Sequence, residues 1–161
     1  MSTPIEPVVQ VFDATTDVEY KDDVIIDFGE VKAGDASDHK TLHIWNNKGG
    51  QEVASTMRDV ELFILDGNDA KSEPIVKEGW LHAKCISGGD STFTRLRDAN
   101  SLVLSAKDQE EGEILGSVND GEKTNTDNFA EIEIYAQIIE NVLEATHGEK
   151  PFSLAIRYFF T

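Results

Sequence analysis

Apolar and polar side chains alternate with a period of two along most of the apolar stretches of this chain, which is the pattern of strands with one face buried. The stretch from Asp22 to Gly50 sets the theme, predicting a strand with Val24, Ile26 and Phe28 on one side, a polar loop broken at Gly34, and a second strand. In that second strand Leu42 and Ile44 alternate with Thr41, His43 and Trp45, and Asn46-Asn47-Lys48-Gly49-Gly50 closes it as a turn. Ser55 to Asp66 places Val60, Leu62 and Ile64 on one face and Glu61, Phe63 and Leu65 on the other. Both faces are partly apolar, so this strand is covered on both sides or gives one face to a partner.

Trp80 to Ile86 alternates again, with Leu81, Ala83 and Cys85 against Trp80, His82, Lys84 and Ile86. Thr92 to Leu96 and Ser101 to Ala106 are short strand candidates, and Asn119 to Asn128 is a polar run expected to be a mobile loop. The last third is clearest. Ala130, Ile132, Ile134 and Ala136 point inward from one strand, and Leu154, Ile156, Tyr158 and Phe160 from the next, with residues 138 to 150 making a hairpin-like or cross-sheet connection. Only Asn141 to Thr146 offers a helical turn, so the expected fold is all-β, an antiparallel sandwich with at most one short helical turn. Residues 1 to 20 read as an N-terminal arm or edge segment, with VVQVF at 8 to 12 able to add a strand, and residues 21 to 161 as a single domain.

Charge narrows the partners. With 31 acidic and 14 basic side chains the net charge is −17, and the cations are scattered singly. Binding phosphates by counterion release needs clustered Lys and Arg, so neither nucleic acid nor an anionic membrane is an expected partner. No basic and apolar leader opens the sequence and no window reaches transmembrane length, giving an expectation of cytoplasmic synthesis without a signal peptide.

Candidate chemistry is sparse. Cys85 is the single cysteine, which excludes an internal disulfide, and it has no neighbouring base in the sequence. His39, His43, His82 and His147 lack metal-ligand spacing, so no metal or cofactor is expected. Asp66 to Asp69 and Asn119 to Glu122 resemble fragments of calcium loops without the later ligands, and turns are the better reading. No catalytic residue is assigned. Trp45, Phe63, Trp80, Tyr135 and Phe159 fall opposite the expected core, and such a row is either a partner-binding surface or the underside of a second layer.

The residues from Asp27 to Gly34 (DFGEVKAG), followed by those from Lys40 to Asn47 (KTLHIWNN), resemble the opening hairpin of immunoglobulin-like domains of the ASPM/SPD-2/hydin type. The ending, AEIEIYAQII and then PFSLAIRYFF, is similar to the last strands of that fold, while the middle from Asp66 to Asn128 departs from it. Small acidic domains with this opening also resemble structural proteins of tailed bacteriophages and phage-tail-like particles. That resemblance implies a non-enzymatic component of a virion or particle, decorating head, neck, tail or baseplate and docking in many copies on other structural proteins. The alternative is a carbohydrate-binding module stacking a glycan on Trp45, Trp80 or Tyr135. A hydrolase whose carboxylates do not declare themselves is a third.

Overall fold

The computed structural model describes residues 5–21, 24–138 and 150–161. Among the described residues eight strands are formed: β1 (Val9–Asp13), β2 (Lys40–Asn46), β3 (Arg58–Asp66), β4 (Leu81–Cys85), β5 (Thr94–Leu96), β6 (Leu102–Val103), β7 (Phe129–Ala136) and β8 (Phe152–Phe159). They make a five-stranded sheet in the order β1-β2-β7-β4-β5 and a three-stranded sheet in the order β6-β3-β8, every pairing antiparallel. The chain is thus an all-β sandwich, and β7 and β8 lie in different sheets.

Alternation dictates the core, because successive side chains of a strand point to opposite faces. Leu42 and Ile44, Val60 and Leu62, Leu81 and Ala83, and Ala130, Ile132 and Ile134 are all fully or almost fully buried between the layers. Leu154, Ile156 and Tyr158 of β8 pack on this core from the edge of the small sheet. Helical structure among the described residues is confined to a single π-type turn, Ile75–Gly79, and a 3-10 turn, Thr126–Asn128. The helical turn expected at 141 to 146, like His147, lies outside the described residues.

One expectation is corrected. No strand forms over 24–28, where the sequence predicts one: Asp27 Oδ1 accepts the Gly29 N–H at 2.8 Å, and Gly29 takes φ +73°. This short turn ends the extended run. Val24 and Ile25 are consequently exposed, whereas Ile26, Phe28 and Val31 tuck against the core and Phe28 stacks on Phe152 at 5.9 Å. The N-terminal residues, by contrast, are integrated. β1 pairs with β2 from Val9↔Asn46 to Asp13↔Leu42, Ile5 O accepts the Ser55 N–H, and Pro7 is buried. Residues 9 to 13 are an edge strand of the large sheet, the second of the two alternatives the sequence leaves open for this segment.

Buried polar groups hold the loops. Asp66, at the end of β3, accepts the N–H groups of Asn68 and Ala70 on Oδ1 and those of Ser72 and Glu73 on Oδ2, at 2.8 to 3.1 Å. Burial alone would raise its carboxyl, but these N–H donors outweigh it and hold it below the usual 3.8. A depressed carboxylate stabilises the fold above its unfolded value and loses that contribution as pH falls through the folded value. We expect the stability difference between wild type and Asp66→Asn to be large at pH 7 and to shrink steadily below about pH 3.8, as measured by urea denaturation at a series of pH values.

Candidate docking surface

The five aromatic residues expected on an outer surface do not form one row. Trp45 is fully buried, because the outer side of the large sheet is itself covered at that end: Phe12 of β1 and Phe129 of β7 form a second small core with it, the Trp45 and Phe129 rings 4.7 Å apart. The Lys48 ammonium closes the cluster, 3.8 Å from the Phe12 ring centre and 5.3 Å from that of Trp45, and is anchored by Asp17 at 2.9 Å. Trp80 is also in the core. It follows the π-type turn rather than lying in β4, so alternation does not govern it, and it packs among Ile75, Val76 and Leu81 while its Nε1–H donates to Glu78 at 3.1 Å.

Tyr135 stays half-buried on the outer face of the large sheet, but neither side of its ring is free. His39 stacks on one neighbouring position at 4.5 Å and His82 at 4.9 Å, both within 8° of parallel, and Phe93 meets the Tyr135 edge at 4.9 Å. Glu133 holds His39 Nδ1 at 2.9 Å, and burial together with the Arg95 cation lowers the pKa of His82 below 6.5. A sugar stacks on an open ring face, and none of Trp45, Trp80 and Tyr135 presents one. Tryptophan emission should therefore be blue-shifted and poorly quenched by iodide, and titration with cell-wall polysaccharide should leave it unchanged.

Phe63 and Phe159 are the two that share a surface. In the β3–β8 register Leu65 opposes Ser153, Phe63 opposes Ala155, and Glu61 opposes Arg157, with a bulge between Arg58 and Glu61 bringing Phe159 opposite Arg58. These side chains point away from the core, since Leu62 and Ile64, the alternating neighbours, point into it. Val103 of β6 pairs with Glu61 and extends the strip. Phe159 is 62% exposed and Val103 36%. Glu61 and Arg157 form an ion pair, Arg58 pairs with Glu113 at 2.8 Å, and Lys71 Nζ lies 5.3 Å from the Phe63 ring centre. Sequence reading found Phe63 and Phe159 by parity, and Leu65 on the face of Phe63, but did not bring the two strands together or find Val103 beside them, because strand order across a sheet is not written in any one strand.

Several groups with chemical potential are committed to the chain itself. Cys85 Sγ is buried, 3.5 Å from both Ser87 Oγ and the Ser105 carbonyl. Several oxygens of the two calcium-like turns are taken by N–H donors: both of Asp66 as described, Asn119 Oδ1 by Gly49 and Gly121, and Asp120 Oδ1 by Glu122 and Asn125. Asn119 also donates to Asn47 O and Ser117 O, so the polar run beginning there is tied to the body of the sandwich. Among the described residues no group of three or more His, Cys, Asp or Glu side chains is placed to hold a metal ion, and no helix is long and apolar enough to cross a membrane. A shallow cleft of about 210 Å³ beside Trp80 offers one carboxylate, Glu73, and one ammonium, Lys150, among otherwise uncharged walls. Comparison with known proteins adds no relative: no protein-family model matches the chain, and no curated protein gives a significant match.

Proposed function

We propose that this protein is a non-enzymatic docking domain, a multi-copy structural component of a phage virion or phage-tail-like particle, that binds through the outer face of its three-stranded sheet. The observation that carries the docking reading is that face: an apolar strip of Phe63, Leu65, Val103, Ala155 and Phe159 around one ion pair, on a molecule whose net charge is −17. Aromatic and aliphatic side chains flanked by a charged pair are what the centre and rim of a protein interface use. The particle assignment is supported by the resemblance of small acidic domains with the DFGEVKAG and KTLHIWNN opening to particle structural proteins, and by a sandwich architecture compatible with the immunoglobulin-like domains that this opening and the two last strands resemble. On this reading the chain is made in the host cytoplasm and its partners are other particle proteins, with neither nucleic acid nor membrane among them.

Density-gradient fractionation of a lysate of the native host tests it. The chain should migrate with particles in a fixed multi-copy ratio that survives a salt wash. Recovery only in the soluble fraction, with particles present and intact, would overturn the assignment.

A further inference from the structure

We infer that the occupant of this face is a second copy of the same chain, packed face to face about a two-fold axis; the inference rests on the docking reading above and adds the partner. Charge gives the first argument. At −17 most of the surface repels another copy, but here Glu61 is matched by Arg157, Arg58 by Glu113, and Lys71 adds a further cation.

Shape gives the second. A two-fold contact must be self-complementary, each patch meeting its own copy. An axis running parallel to the strands, midway between β3 and β8, sets β3 of one copy over β8 of the other. The register then brings Phe63 against the partner's Ala155 and Leu65 against the partner's Ser153, large against small in both rows. The same operation lays Arg157 across from the partner's Glu61, and Phe159 across from the partner's Arg58. Two sheets packing this way sit about 10 Å apart with strands roughly aligned, the ordinary geometry of stacked sheets.

Sedimentation velocity on the full chain over a range of concentrations, at about 0.15 M salt where charges are screened beyond about 8 Å, tests the inference. A concentration-dependent monomer–dimer equilibrium is expected. Ala155→Phe, which fills the space Phe63 needs, and Arg157→Glu should each weaken it about tenfold or more while circular dichroism shows the fold intact. The exchanged pair Glu61→Arg with Arg157→Glu should restore it. A monomer at every concentration, or a dimer indifferent to both single variants, overturns the inference. Should the chain be monomeric alone and yet migrate with particles, the self-contact fails while the docking reading stands.

Discussion

Replacing Asn46 by alanine is expected to destabilise the sandwich by roughly 2–4 kcal/mol, because it takes the partner from two part-buried backbone groups, the Val8 N–H and Ser55 O, at about 1–3 kcal/mol each. Asn46 is fully buried at the end of β2. Its Oδ1 accepts the Val8 N–H at 3.1 Å, and its Nδ2 donates to Ser55 O at 2.9 Å and Ile114 O at 3.2 Å. One amide thus ties the entry to β1, the segment before β3 and the 113–116 loop to a single point. Ile114 O still accepts the Met57 N–H if the amide is lost, but the Val8 N–H and Ser55 O lose this partner, since alanine offers neither donor nor acceptor. For a domain of this length the melting temperature should fall by about 10 °C. Asn46→Asp should be worse still at neutral pH, keeping the acceptor for Val8 but setting a buried carboxylate against two carbonyl oxygens. Differential scanning calorimetry of the two variants checks both; a loss below about 1 kcal/mol in Asn46→Ala would mean that the loops find other partners.

The second large effect is steric. A Cβ at Gly116 would lie 2.4 Å from Ala54 O and 2.8 Å from Ser55 O, both backbone atoms of the segment that Asn46 anchors. Backbone cannot swing aside as a side chain can, and Ala54 N–H donates to Gly116 O, so separating the two segments also breaks that bond. Gly116→Ala should therefore cost at least about 3 kcal/mol. Gly29→Ala makes the comparison sharp, because there the φ of +73° is unfavourable to alanine but nothing lies within 4 Å of the added carbon. That variant should lose only about 1–2 kcal/mol, the cost of an L-residue in the left-handed region. Equal losses in the two would show that conformation, not the close approach of the strands' loops, governs Gly116.

How much of this could be read from the sequence depends on what each residue's neighbours are. The strands β4, β7 and β8 were legible because period-two alternation reports directly which side chains share a face, and Leu81, Ala83, Ile132 and Ile134 lie where it puts them. Alternation says nothing of what lies over the opposite face. Trp45 therefore looked exposed, although Phe12 and Phe129, brought beside it by the pairing of β1 and β7 with β2, cover it. Trp80 escaped for a different reason, since the π-type turn before it breaks the register on which parity depends. The segment at 24–28 carries strand-like spacing, yet a single Asp27 to Gly29 hydrogen bond is enough to turn the backbone. The asparagine pair at 46 and 47 read as turn residues. In the fold they are anchors as well, Asn47 Nδ2 donating to Glu52 O at 2.8 Å and Gly116 O at 2.9 Å. Of the docking strip the sequence supplied Phe63 with Leu65, and Phe159, and only the β3–β8 register joins the two strands.

Among the consequences of this account, the most direct to measure is whether the exposed end of that strip is needed for incorporation. Wild-type protein and Phe159→Asp, each purified and shown to be folded, would be mixed with particles lacking the chain and sedimented. Wild type should pellet with the particles in a constant ratio, and Phe159→Asp should stay in the supernatant. If Phe159→Asp pellets as fully as wild type, the outer face of the three-stranded sheet is not the working surface of this protein.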